Sequence, residues 1–162
     1  MNVKPFPFFG ALIFLLLGIV IFFMGGWMFL AGVLMPLPHL SIILLTLCGC
    51  LIAFQGAYHW GMIGQIPLII LPQREGRADY IRMLLGGGAL LWAWFSLCLG
   101  LLATVQTGYC LELLGFWGII ASERSLKRNA SLPPSYYLIK VIFVFLTSLG
   151  LIFALISPQG RF

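Results

Sequence analysis

Apolar residues along this chain fall into long, nearly uninterrupted runs. The first covers 8–34 and the second 40–63, and each is long enough to cross the ~30 Å hydrocarbon core of a bilayer as a helix. Pro36 and Pro38 predict a tight turn between them, because proline cannot continue a helical hydrogen-bond ladder. A last run covers 135–156. The pattern predicts an all-α membrane protein.

The stretch 81–122 requires two helices. As one straight helix its 42 residues would measure about 63 Å, twice the hydrocarbon core. Its most polar segment is 104–108, so a turn is predicted within 100–107. The two resulting spans cover 81–100 and 106–122.

Two segments are predicted to lie outside the membrane core. Residues Gln73 to Tyr80 form a short charged loop in this interpretation. The weaker apolar segment from Gly64 to Leu71 is expected to kink at Pro67 and to run along the interface. The whole chain, 1–162, is then a single integral membrane domain.

Basic residues give an independent test of the number of spans. With five spans, the N-terminus, the Arg74–Arg82 loop and the Arg124–Arg128 loop share one side of the membrane. That side carries eight of the nine basic residues once Lys140 extends toward it, whereas four spans would remove this bias. The prediction is a five-transmembrane-helix bundle with its N-terminus in the cytoplasm (or matrix) and its C-terminus outside.

Composition supports lipid as the solvent of this chain. Hydrophobic residues make up 62% and charged residues 8%, against about 25% charged in soluble domains. The net charge of +5 comes from sparse residues at helix ends, which indicates contact with anionic lipids and no nucleic-acid binding. The first apolar run is too long for a cleavable signal peptide, whose core has ~7–15 residues, so it is expected to be retained.

Small residues within the spans are interpreted as packing residues. The triplet Gly86, Gly87 and Gly88 predicts a close helix crossing, because glycine lets helix backbones approach in lipid. All four cysteines fall within apolar spans, where disulfides are not expected, and Cys48-Gly49-Cys50 lacks the spacing of a redox motif. The four are Cys48, Cys50, Cys98 and Cys110.

Intramembrane polar residues are the candidate functional site, because an ionisable group at bilayer depth is costly without a partner. Gln55, Tyr58 and His59 lie on the second span, and Gln55 and His59 share a face because they are four residues apart. Glu112 lies in the fourth span and Lys140 in the fifth.

Each candidate has a structural and a functional interpretation. Lys140 extends to the headgroups or pairs with a buried acid, and Glu112 lies near the outer interface, is neutral and hydrogen-bonded, or pairs with a base. His59 makes an interhelical hydrogen bond, or else binds a quinone carbonyl, relays protons or ligates a metal. Two-histidine haem ligation is disfavoured, because His39 lies about 30 Å away on the same helix. No catalytic constellation, metal site or cofactor is expected.

Two segments resemble a known family. Gln55-Gly56-Ala57-Tyr58-His59-Trp60-Gly61 is similar to the glycine–aromatic signature in the second helix of the DUF3429 family, and 132–140 resembles that family's entry into its last helix. Ser135 replaces the family's Trp, and Lys140 replaces an Arg, which removes the bidentate guanidinium fork. The resemblance implies a small polytopic protein of the bacterial or mitochondrial inner membrane and implies no activity.

Two functional hypotheses remain open from the sequence. The favoured one is a non-enzymatic accessory or assembly subunit of a larger membrane complex, in contact with lipids and with other subunits or further copies of itself. The alternative is a protein that binds a quinone- or lipid-like molecule, or handles protons, at the polar cluster of the second helix.

Overall fold

The computed structural model describes residues 6–31, 38–63, 73–127 and 134–157, and these ranges are almost entirely helical. They contain no β-strand, so the predicted all-α class is confirmed for the described part of the chain. Side chains are described for residues 12–31, 39–60, 80–124 and 137–157. The five helices are α1 (Phe6–Ala31), α2 (Pro38–Ile63), α3 (Gln73–Leu102), α4 (Val105–Lys127) and α5 (Pro134–Ile156).

Four helices of the described part are long and apolar enough to cross a membrane, as a multi-pass membrane protein requires. The fifth, α4, is more polar, since it carries Glu112 and Glu123. The four apolar segments are Leu12–Ala31, His39–Trp60, Tyr80–Leu102 and Tyr137–Ile156.

The predicted charged loop from Gln73 to Tyr80 is wrong, because these residues form the first turns of α3, a helix of 30 residues. The predicted basic loop that starts at Arg124 is also shorter than expected, since α4 continues to Lys127. Gln, Arg, Glu and Ala are strong helix formers, so a change from apolar to charged residues does not by itself end a helix.

The predicted turn within 100–107 is confirmed and is narrower than expected. Only Ala103 and Thr104 separate α3 from α4. The Thr107 backbone N–H donates to Thr104 Oγ1 at 3.2 Å, so Thr104 caps the N-terminus of α4. Because the connection is so short, α3 and α4 are antiparallel neighbours.

The first two helices differ from the predicted spans by a few residues. α1 covers Phe6–Ala31, where 8–34 was expected, and α2 begins at Pro38, where 40 was expected. Proline is allowed at the first position of a helix, where its missing N–H leaves no hydrogen bond unmade. The predicted segment 64–71, with its kink at Pro67, lies outside the described residues.

The chain divides into two compact units. The first unit is Met1–Leu44 with Ser131–Phe162, and the second is Leu45–Ala130. The first therefore holds α1, the start of α2 and α5. The second holds the rest of α2 with α3 and α4.

In the first unit α1 and α5 run parallel in close backbone contact. Gly25 lies directly against Gly150, and a Cβ atom added to Gly150 would lie 2.6 Å from the Ile21 carbonyl oxygen. One heptad after Gly150, the Ser157 hydroxyl donates to the Met28 carbonyl oxygen at 2.8 Å. Contacts that advance along both helices together define a parallel pair, and glycine permits its close approach.

In the second unit a tryptophan joins α3 to α4. Trp92 Nε1 donates to the Leu111 carbonyl oxygen at 2.8 Å. Its indole ring occupies the space beside Gly115, where an added Cβ would lie 2.7 Å from Trp92 Cδ1. The glycine thus provides the room that the indole fills.

Candidate functional site

Polar side chains lie on the buried face of α2 in the second unit. Cys48, Ile52, Gln55 and His59 are all at most 1% exposed, and they are spaced by four, three and four residues. This spacing keeps them in one stripe along the helix. Three of these four buried positions carry polar or thiol side chains.

The buried face of α4 has a matching stripe. Two proximities align it with α2: the Glu112 carboxyl lies near Cys48 and Gly49, and His59 Nε2 lies within salt-bridge distance of Glu123 Oε1. Both pairs advance by eleven residues, so α2 and α4 run parallel and the two contacts lie about 16 Å apart. The stripe on α4 consists of four of its buried residues: Glu112, Phe116, Ile119 and Glu123. We call Cys48, Gln55 and His59 of α2 with Glu112 and Glu123 of α4 the polar seam.

The ion pair of His59 and Glu123 closes one end of the polar seam. His59 Nε2 lies 3.2 Å from Glu123 Oε1, and each side chain is only 2% exposed. His59 Nδ1 is also buried and makes no hydrogen bond with the described residues. A carboxylate beside one imidazole nitrogen fixes the orientation of the ring.

Glu112 lies at the other end of the polar seam and is completely buried. Its carboxyl faces α2 at Cys48 and Gly49. Neither carboxyl oxygen makes a well-formed hydrogen bond with the described residues. The Glu112 side chain thus faces α2, and its predicted position near the outer interface stays a prediction.

Gln55 lies between these two ends. Both its amide oxygen and its amide nitrogen are buried, and neither finds a hydrogen-bond partner among the described residues. By helical rise it lies about 6 Å from the level of His59 and about 10 Å from the level of Cys48. Buried polar groups are normally paired, so this unpaired amide is a candidate position for a water molecule or a polar ligand group.

The remaining two candidates lie off the polar seam. Tyr58 is half-buried, and its ring meets the His59 ring edge-on with centroids 6.3 Å apart. Lys140 lies in α5 of the first unit and is 1% exposed. The expected extension of Lys140 to the headgroups is therefore not observed, since its whole side chain is buried.

Within the glycine triplet the close contacts are made by Gly86, whose carbonyl oxygen would lie 2.8 Å from a Cβ added at Gly56. The Trp60 indole lies directly over Gly86 and donates from Nε1 to the Met83 carbonyl oxygen at 3.1 Å. Gly87 is only at van der Waals distance from the same ring, and Gly88 faces open space. This contact joins α2 to α3 one residue beyond His59, so it supports the polar seam from the side.

Glu123 is the residue of the candidate site that sequence reasoning missed. It stands beside Arg124 in a segment interpreted as a basic loop, where an acidic residue attracts no attention. Glu112 and Glu123 are separated by eleven residues, as are Cys48 and His59. This equal spacing is the signal in the sequence that could have revealed Glu123. That spacing places the two acids on one helix face only if the helix continues past Ser122.

Among the residues that the structure describes, no group of three or more His, Cys, Asp or Glu side chains is arranged to hold a metal ion. The chemistry available at the polar seam is acid–base chemistry between one imidazole and two carboxyl groups. Comparison of the chain with protein-family models, with curated proteins and with solved structures gives no match.

Proposed function

We propose that this chain is a five-span membrane protein that handles protons at the polar seam between α2 and α4. The fifth span in this proposal is α4, whose 23 residues measure about 34 Å, enough for a hydrocarbon core of ~30 Å. Its two acids, Glu112 and Glu123, are buried, while Leu114 and Trp117 on its outer side are exposed. A helix with its acids turned inward is compatible with surrounding lipid.

Orientation and membrane follow from charge and resemblance. Five spans place the N-terminus and most basic residues in the cytoplasm or the matrix, in agreement with the positive-inside rule. The similarity to the DUF3429 family supports an inner membrane, bacterial or mitochondrial. A reporter fused to either end, assayed for cytoplasmic activity, tests the orientation: activity is expected at the N-terminus and none at the C-terminus.

The ion pair of His59 and Glu123 is the observation that carries the proton-handling proposal, together with Glu112 on the same seam. Polar groups continue beyond Glu112 along α4 through buried Tyr109 and half-buried Gln106. From Gln106 to Glu123 the rise is about 25 Å, most of the hydrocarbon thickness. Polar groups are thus distributed along nearly the full length of this helix.

Proton uptake by reconstituted protein tests this proposal. Purified protein is placed in liposomes that contain a pH-sensitive dye, and a potassium gradient with valinomycin supplies an inside-negative potential. We expect vesicles with protein to acidify faster than empty vesicles. Glu112→Gln keeps the side-chain shape and removes the titratable group, so it is expected to abolish the difference.

Thr147→Val is the matched control. Thr147 lies in α5 of the first unit, is fully buried, and its hydroxyl has no hydrogen-bond partner among the described residues. The substitution removes a polar group that is as completely buried as Glu112 but lies outside the polar seam. It is therefore expected to leave proton uptake unchanged. Equal acidification of protein-containing and empty vesicles would overturn the proposal. A small molecule that co-purifies with the protein and is lost in Glu112→Gln would instead indicate a ligand site.

A second candidate is the accessory or assembly subunit, favoured by the outer face of α1. Large apolar residues project from this face at helical spacing, with exposed fractions of 54% for Leu16, 68% for Phe23, 61% for Trp27 and 72% for Leu30. Gly26 lies among them with no atom near its position. Native mass spectrometry after mild extraction tests this role, since a subunit retains a stoichiometric partner that Gly26→Leu releases.

A further inference from the structure

Apolar side chains interrupt the polar seam between its two ends. Glu112 lies at the level of Cys48, and Gln55 lies about 10 Å further along α2. One helical turn beyond Cys48 and Glu112 come Ile52 on α2 and Phe116 on α4, and both side chains are completely buried. The carboxyl of Glu112 and the amide of Gln55 make no hydrogen bond with each other. The two ends of the polar seam are therefore separated by an apolar level.

Trp92 of α3 closes the third side of this level. A Cβ atom added at Gly115 would lie 2.7 Å from Trp92 Cδ1 and 3.1 Å from Ile52 Cδ1, so both side chains meet at that glycine. The one polar atom of the Trp92 ring, Nε1, already donates to the Leu111 carbonyl oxygen at 2.8 Å. Three helices thus contribute one apolar side chain each. We call Ile52, Trp92 and Phe116 the apolar layer.

A proton crosses such a layer only when water enters it. Protons pass between groups that are hydrogen-bonded to each other, and a charge surrounded by apolar side chains is costly. Apolar constrictions in channels close by losing their water. The apolar layer is therefore a barrier between Glu112 on one side and Gln55, His59 and Glu123 on the other.

Ile52 is a member of the apolar layer that has space to move. Together with Gly88 and Gly118 it lines an apolar groove of about 440 Å³ between α3 and α4. No described atom lies within 4 Å of a Cβ added at Gly88 or at Gly118. In a helix, isoleucine is stiff about χ1 but has alternative staggered positions about χ2. The free volume therefore lets Ile52 Cδ1 leave its place beside Gly115.

We infer that the apolar layer is a gate for protons, and that Ile52 opens it by turning into the groove. The gate rests on the proposed proton handling, whose rate it limits. In the closed state protons bind at either end of the polar seam without crossing. In the open state the space that Ile52 leaves admits water, which joins Glu112 to Gln55 through hydrogen bonds. Trp92 stays in place because its indole is bonded to Leu111.

Two substitutions of nearly equal shape test the apolar layer in the liposome uptake assay. Ile52→Val and Ile52→Thr both remove Cδ1 and leave side chains of the same size, but only threonine carries a hydroxyl group. That hydroxyl gives water a hydrogen-bond partner inside the layer. Ile52→Thr is therefore expected to take up protons about fivefold faster than Ile52→Val.

Two controls separate a gate from a leak caused by weakened packing. Ile21 in α1 is also completely buried, so Ile21→Thr and Ile21→Val repeat the same pair of substitutions away from the polar seam. These two variants are expected to take up protons at equal rates. Adding Glu112→Gln to Ile52→Thr is expected to abolish uptake, because protons that cross the layer still pass Glu112.

Filling the groove tests how the gate opens. Gly118→Leu places a side chain in the groove without a clash and leaves Ile52 less room to turn. Ile52 then opens the layer only in an unfavourable rotamer, so proton uptake is expected to fall about fivefold. Gly26→Leu is the matched control, because it also faces open space, but on α1, and is expected to leave uptake unchanged.

The outcomes distinguish the gate from the proposed function. Equal acidification of empty vesicles and of vesicles with wild-type protein would overturn both. Where the wild-type protein takes up protons, equal rates for Ile52→Thr and Ile52→Val would overturn the gate alone. An equal gain from threonine at Ile21, uptake that persists after Glu112→Gln is added, or equal rates for Gly118→Leu and Gly26→Leu would do the same.

Discussion

The two parallel helix pairs of this protein, α1 with α5 and α2 with α4, use the same spacing of buried residues for different purposes. In the first pair the backbones themselves touch, at Gly25 and Gly150. In the second pair side chains separate the helices, and His59 meets Glu123 across the gap. A glycine-lined contact leaves no volume for chemistry, whereas a contact made by side chains has room for titratable groups.

The difference separates a helix pair held by close packing from a helix pair that carries buried polar groups. The α1–α5 pair gains its stability from close packing, as expected where lipid supplies no hydrophobic drive for helix association. The α2–α4 pair contains the buried side chains of Gln55 and Glu112. Their polar atoms make no well-formed hydrogen bond with the described residues. Such groups cost stability, so their presence calls for a role.

The largest effect is expected from Gly25→Leu, which breaks the first pair. An added side chain collides with the Gly150 carbonyl group, and a backbone atom cannot move aside without separating the helices. We expect a loss of about 3 kcal/mol or more, which leaves little folded protein. Gly26→Leu, one residue away with open space, is the control in the same thermal-unfolding measurement. Similar unfolding temperatures for the two variants would contradict the close α1–α5 contact.

The next largest effect is expected from breaking the ion pair in the second pair of helices. His59→Leu alone leaves Glu123 as a buried charge without its imidazole, which costs about 3 kcal/mol in soluble proteins. The double variant His59→Leu with Glu123→Leu is expected to recover most of this loss, since no charge remains buried. Additive losses in a double-mutant cycle of unfolding free energies would show that the two side chains are not coupled.

Much of the helical architecture was predictable, because the length of an apolar run is a strong signal. The break within 100–107 followed from helix length alone, and the structure places it at Ala103 and Thr104. The error at Gln73–Tyr80 arose because charge marks the edge of a membrane and not the end of a helix. Hydropathy indicates whether a segment lies in lipid or in water, whereas the position of a helix end depends on helix propensity and on capping.

The candidate site was only half predictable. Gln55 and His59 were found because their four-residue spacing lies within one helix. The partner of His59, Glu123, lies 64 residues beyond it, and no local pattern encodes the register between two helices. Gly115 was missed for the same reason, since the Trp92 ring that fills its space comes from α3.

A smaller effect is expected from Trp92→Phe, which tests how α3 supports the second pair. The substitution keeps an aromatic ring beside Gly115 and removes the hydrogen bond to the Leu111 carbonyl oxygen. The expected loss is about 1 kcal/mol of unfolding free energy. Trp94→Phe is the control, because Trp94 is 65% exposed and is expected to change nothing measurable. Equal effects of the two variants would mean that the indole N–H does not hold α3 to α4.

The smallest effect on stability, and the sharpest test of the comparison, comes from removing one unpartnered polar group from each pair. Thr147 in α5 and Gln55 in α2 are both fully buried, with side-chain polar atoms that lack partners among the described residues. Thr147→Val and Gln55→Leu are therefore each expected to keep or raise stability, by up to about 1 kcal/mol. If the polar seam handles protons, only Gln55→Leu slows proton uptake into liposomes, because it interrupts the series between Glu112 and His59. A fall in stability for Gln55→Leu with normal uptake would instead mean that the amide serves packing, and the two pairs would then differ in geometry but not in purpose.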